Sequence, residues 1–199
     1  MKINKNTDAL LVVDVQGDFV TGSMAVPGAE EIIPIIVKLE QKFGTIVYSR
    51  DAHIAGHPSF QAQGGPWPEH CVIGTYGYRL HSSLMYIDSI PIIVDKGLEE
   101  EAYSAFSGTI VIQRSDEPAD YIEDLLDMRN IKRLFVCGLA TDYCVKATVL
   151  DALKLFKGEV FVLRDAVRAV NVDENDGRKA IHEMKDAGAI LTTSNDLED

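Results

Sequence analysis

Three residues at the ends of apolar runs carry groups that could act together as a nucleophile and its acid–base partners. Asp14 closes ALLVVD (9–14), Lys96 closes PIIVDK (91–96), and Cys144 opens a helical pattern just after RLFVCG (133–138). Taken singly, each has a structural reading: a carboxylate capping a turn, a solvated lysine, a small buried thiol. Jointly they supply what a thiol hydrolase needs. A thiol attacks as thiolate, and free cysteine is mostly protonated near neutral pH. A place in the first turn of a helix favours the anion, with Thr141 or Asp142 as N-cap, and a nearby Lys96 would lower the thiol pKa further. Asp14 could take the thiol proton, pass it to a leaving amine and then activate water. Backbone N–H groups around Ala140 and Cys144 could form an oxyanion hole. Cys137, inside an apolar run, and Cys71, in a loop, have no helix start beside them and read as structural.

A second cluster lies in RDAHIAGHPSFQAQGGPWPEHC. Asp51, His53, His57 and His70 place one carboxylate and three imidazoles within twenty residues. That donor set suits a divalent metal. In an extended segment residues two apart share a face, so Asp51 and His53 can converge. The bland alternative is a loop with histidines that bind nothing.

The elements that must position these groups follow from the apolar pattern. Val- and Ile-rich runs recur at 9–14, 45–50, 91–96, 133–138, 159–165 and 189–193. Near-continuous runs of this kind are strands buried on both faces, as in a parallel sheet. Helical patterns lie between most of them, at 30–43 with Pro34 near the first turn, 118–130, 142–156 and 173–188, the last followed by Gly188 as a C-terminal stop. The alternation predicts an α/β fold: one domain over 1–199, with a doubly wound, mostly parallel sheet of about six strands flanked by helices. Carboxyl ends of parallel strands share one edge, which brings Asp14, Lys96 and Cys144 together. The irregular stretch 51–89 follows the second strand at that same edge, where such sheets place ligands.

Bulk composition narrows the class. Of 199 residues, 46% are hydrophobic and 25% charged, enough apolar material for a core without a disulfide framework. The net charge of −12 disfavours nucleic acid and anionic membrane surfaces as partners. Three cysteines suit a reducing compartment. The apolar run at the N-terminus is too short for a signal peptide, and no run approaches a membrane span. The expectation is a cytoplasmic protein with a small-molecule ligand.

The segments LLVVDVQGDF, RDAHIAGHPSF, GGPWPEHCVIGT, DKG…AYSAF and VCGLATDYCVKAT resemble the nicotinamidases among the isochorismatase-like cysteine hydrolases, in family order and over about residues 8 to 193. The resemblance implies a three-layer Rossmann-like fold with Asp14, Lys96 and Cys144 as catalytic triad. It implies one divalent metal, zinc foremost with iron or manganese as alternatives, on Asp51, His53 and His70 with His57 as an additional ligand. Phe19, Trp67, Tyr103, Leu139 and Tyr143 would line the substrate pocket, and a cis peptide at Leu139–Ala140 would aim an N–H at the oxyanion. The implied reaction is hydrolysis of nicotinamide to nicotinate and ammonia, in a homo-oligomer. Two other readings stay open: another small-amide hydrolase of the same superfamily, and a non-catalytic metal or small-molecule binding module. No GxGxxG follows the first strand, and no CxxC pair supports a redox thiol protein.

Overall fold

Residues 9, 11 and 13 of the first strand face one way and residues 10 and 12 the other, and all are buried. This strand, β1 (Asp8–Val13), therefore lies in the middle of a sheet covered on both sides. The computed structural model describes residues 1–84, 91–100, 102–113 and 119–198. Its strands are β1, β2 (Thr45–Asp51), β3 (Ile92–Lys96), β4 (Thr109–Ile112), β5 (Arg133–Leu139), β6 (Glu159–Arg168) and β7 (Ile190–Thr192). They form one sheet in the order β4-β3-β2-β1-β5-β6-β7. All neighbours are parallel except β3 and β4.

Helices cover both faces. On one side are α1 (Gly17–Val20) and α2 (Ala29–Glu40), where Phe19, Ile32, Ile36 and Leu39 pack against Leu10, Val12 and Phe135. On the other are α3 (Ile122–Met128), α4 (Lys146–Leu155) and α5 (Asp176–Asp186), with Leu125, Leu126, Val149 and Met184 against Leu11, Val136 and Val162. Fully buried leucines such as Leu125 and Leu126 stabilise this layer by roughly 1.5–3 kcal/mol each.

Several expected details shift. The sheet has seven strands rather than six, because β4 was not visible as a strand: it is four residues long and mostly exposed at the sheet edge. The helix expected over 118–130 is Ile122–Met128, and residue 118 lies outside the described residues, as do 85–89 of the long loop. Pro34 stands in the second turn of α2, on its exposed face. Gly188 closes α5 in the left-handed region (φ 117), with Ala189 N–H donating to Met184 O and Gly188 N–H to Lys185 O, a Schellman stop.

The chain runs outward from β1 to β2, β3 and β4, then returns to the other side of β1 for β5, β6 and β7. The strand order thus reverses between β1 and β5, the place where open α/β sheets carry their ligands. Gly138 lets the two strands close up there. At φ 115, its added Cβ would stand 2.1 Å from Val13 O.

Candidate active site

Asp14 follows β1 in the left-handed region (φ 49), turning its side chain into the crevice. Ser49 on β2 donates its hydroxyl to Asp14 Oδ1 at 2.6 Å, and Asp14 N–H donates to Ser49 O at 3.2 Å. Asp51 and Lys96 end the paired strands β2 and β3 directly opposite one another. Cys144 lies in a π-helical turn, Thr141–Val145, that precedes α4. Three distant segments therefore meet: Lys96 Nζ is 2.8 Å from Asp14 Oδ2 and 3.4 Å from Cys144 Sγ. The same ammonium also pairs with Asp51 Oδ1.

Burial makes these charges interdependent. Burial pushes Lys96 down, but Asp14, Asp51 and Cys144 outweigh it and hold the ammonium firmly protonated. Burial pushes Asp14 above the usual carboxylate range, with Lys96 opposing. For Asp51 burial is outweighed by Lys96 and His53, which hold it well below that range. The thiol of Cys144 is pushed up by burial and by both carboxylates, against Lys96. The expected low thiol pKa is therefore absent at rest: one ammonium faces two carboxylates, and the resting group is a thiol beside an acceptor. The N-cap expectation also changes. Ala140 is the cap residue, with no side-chain cap bond. Asp142 instead accepts from Val170 N–H at 3.0 Å and Asn171 N–H at 2.8 Å.

A second cluster adjoins the first through Asp51. Its Oδ1 meets Lys96, while Oδ2 faces His53 Nε2 at 3.6 Å and His70 Nε2 at 3.9 Å. His53 Nδ1 is 2.5 Å from Gly97 O, and His70 Nδ1 is 2.7 Å from Pro68 O. A carbonyl only accepts, so both Nδ1 atoms carry a hydrogen, and both Nε2 atoms face Asp51. Burial also lowers the His70 pKa, favouring the neutral ring. One carboxylate and two imidazoles with donor atoms within 4.8 Å of one another fit a divalent cation. Asp14, Asp51 and Cys144 are equally close, but there the Lys96 ammonium is already the shared cation. His57 packs its ring on His53 at 4.3 Å between centroids. Its Nδ1 lies 2.7 Å from Ser59 Oγ and 3.3 Å from Ser59 N, which fixes the orientation of the ring beside His53.

A small cleft adjoins both clusters. Asp51, His70, Ala140 and Cys144 all contribute to its lining. Phe19, Trp67, Tyr103 and Tyr143 line it. Trp67 Nε1 donates to Tyr103 Oη at 3.2 Å, and its ring stands edge-on to Tyr143. Leu139 is not among the lining residues. It is fully buried in the core, and its cis peptide to Ala140 carries the chain to the cleft. Met24, Val26 and Val170 also line the cleft and were not singled out in the sequence. Nothing local marks them, since each is a plain apolar residue outside a strand. Gln16 was missed too. Its side chain contacts Asp51 and Tyr78, and only its place two residues after Asp14 could have pointed to it.

Comparisons with known proteins agree with this geometry. A family model for the isochorismatase domain matches residues 8–196. The nicotinamidase of Escherichia coli (strain K12) is 36% identical, covering 96% of this chain and 97% of that protein. A crystal structure from L. infantum in complex with nicotinate is 34% identical with a TM-score of 0.86, covering 100% of this chain and 98% of that one. The pyrazinamidase of Pyrococcus horikoshii in complex with zinc is 38% identical with a TM-score of 0.80, covering 94% and 98%.

Proposed function

This chain belongs to the isochorismatase-domain family, and from that premise we propose that its cleft hydrolyses nicotinamide to nicotinate and ammonia with Cys144 as the nucleophile. The observation that carries the reading is the position of Lys96. One buried ammonium touches the acid–base carboxylate, the thiol and the carboxylate of the histidine cluster. A binding module has no use for a thiol placed beside a base and an ammonium.

The residues divide the work as follows. The aromatic walls formed by Phe19, Trp67 and Tyr143 hold a flat ring so that its carboxamide lies over Cys144. Asp14 accepts the Cys144 proton as sulfur attacks the carbonyl carbon. Lys96 keeps Asp14 in place and stabilises the developing sulfur anion. The Ala140 and Cys144 backbone N–H groups receive the oxyanion. Collapse breaks the C–N bond, and Asp14 returns its proton to the departing ammonia, leaving a thioester. A water molecule then gives a proton to Asp14 and hydroxide to the thioester carbon, releasing nicotinate, and the Asp14 proton returns to sulfur. Asp51, His53 and His70 would hold a divalent ion, zinc foremost, which when bound supplies a Lewis-acid anchor for the ring nitrogen. His57, whose ring packs on that of His53, is the additional ligand in this reading. Assembly as a homo-oligomer in the cytoplasm belongs to the same reading.

The test is ammonia release from nicotinamide, pyrazinamide and an aliphatic amide, before and after chelation. Turnover of the two aromatic amides, lost on chelation and restored by divalent metal, is expected. Preference for the aliphatic amide would overturn the substrate while keeping the nucleophile.

A further inference from the structure

Gln16 is fully buried, and its amide is bonded on both sides. Its oxygen accepts from Asp51 N–H at 2.8 Å. Its nitrogen donates to Asp51 O at 2.8 Å and to Tyr78 O at 2.9 Å. The side chain thus grips both polar groups of one residue's backbone, and that residue is the carboxylate shared by Lys96 and the two histidines. β2 ends at Asp51, and beyond it the chain is held by Ala52 N–H donating to Lys96 O at 2.9 Å and His53 N–H to Cys71 O at 3.1 Å, so the Gln16 amide is the side-chain contribution to the Asp51 peptide itself. The segment that carries Gln16 also carries Asp14, two residues earlier, whose carboxylate meets the same lysine.

We propose that Gln16 is a positioning residue that sets the direction of Asp51 and so tunes metal affinity at Asp51, His53 and His70. It touches neither the substrate cleft nor the reacting atoms and acts only through the Asp51 backbone. Tyr78 extends the grip. Its hydroxyl donates to Asp95 Oδ2 at 2.6 Å, and Arg50 stacks on its ring at 4.2 Å while binding the same carboxylate through Nε at 2.7 Å. Arg50 and Asp95 immediately precede Asp51 and Lys96 on their strands. The loop that receives the third Gln16 bond is therefore clamped to the strands that end at the site. A loosened Asp51 would turn its Oδ2 away from the two Nε2 atoms, and outer contacts of this kind change metal affinity by about 10–100-fold.

This inference rests on the metal reading above, and the experiment separates the two. Gln16→Met keeps the volume and removes all three bonds. Gln16→Glu is isosteric, keeps the acceptor for Asp51 N–H and, when protonated, retains one donation. Each purified protein, stripped of metal, is titrated with cobalt(II), following its visible absorption and the dissociation constant, with melting temperature measured in parallel. The expected order of affinity is wild type, then Gln16→Glu, then Gln16→Met, with the last about 10–100-fold weaker and its cobalt spectrum altered. Because Gln16→Glu is the milder change, it carries the test alone where Gln16→Met does not fold. Folded variants that melt lower yet bind cobalt with wild-type affinity and spectrum would overturn the proposal, since Gln16 would then be a support for the fold only. A wild type that binds no cobalt would overturn the metal reading and this one with it.

Discussion

Replacing Lys96 by Met keeps the aliphatic stem and removes the one cation between Asp14, Asp51 and Cys144. Asp51 retains its two histidine neighbours, but Asp14 loses its ion partner inside the protein, where it is fully buried. A buried carboxylate in that position takes up a proton rather than remain charged. The ordinary value is 3.8. Keeping the proton near pH 7 then costs at most about 4.4 kcal/mol, from about 1.36 kcal/mol per unit over roughly 3.2 units. That agrees with the ~3–5 kcal/mol lost when a buried pair is broken by removing one partner. Near pH 5 the same bound is only about 1.6 kcal/mol. In the variant the folded-state pKa of Asp14 lies above its unfolded value. Burial already raises the Asp14 pKa in the wild type, so the deficit from this group is absent below that folded value and grows as pH rises from it towards the higher one of the variant. Urea unfolding of wild type and Lys96→Met at several pH values reads this directly. The stability difference should widen by up to about 1.4 kcal/mol per pH unit between pH 5 and pH 7. Adding Asp14→Asn to the Lys96→Met background should recover most of the loss and flatten the dependence. A difference that does not change with pH, or one below about 1 kcal/mol near pH 7, would refute the view of Lys96 as the counter-charge that keeps Asp14 ionised.

Other consequences are more direct. Cys144→Ala should abolish ammonia release while metal content, measured on the same protein, stays at the wild-type level; residual turnover would remove Cys144 from its role. The acid limb of kcat/KM should have its midpoint above 3.8, because burial raises the Asp14 pKa and activity is lost as pH falls through it. A midpoint at or below that value would point to a different base. Asp142→Ala leaves the Val170 and Asn171 N–H groups without their carboxylate, and about 1–3 kcal/mol of stability should be lost. Since Val170 lines the cleft, KM should rise more than kcat falls, and the reverse split would show that Asp142 acts on the nucleophile turn instead.

Much of this protein was legible along the chain. The runs at 9–14, 45–50 and 133–138 declare strands buried on both faces, since each must bring its own apolar side chains to a covered sheet. Parallel strands share an edge, so Asp14, Lys96 and Cys144 could be brought together before any distance was known. The donor types of Asp51, His53 and His70 announced a metal-binding chemistry for the same reason: the atoms are in the residues. What stayed hidden depends on partners far away in sequence. β4 is short and exposed, so its pairing with β3, not its own pattern, makes it a strand. The raised pKa of the Cys144 thiol follows from its burial and from two carboxylates at the ends of β1 and β2, not from the helix start beside it. His53 and His57 look alike in sequence. In the fold their Nδ1 atoms meet different partners, Gly97 O for His53 and Ser59 for His57. Gln16 reads as an ordinary polar residue until the Asp51 peptide, 35 residues on, closes around its amide. Local burial writes itself into the residues that are buried. Ionisation, tautomer and aim are set by distances between groups, and only the folded chain has those distances.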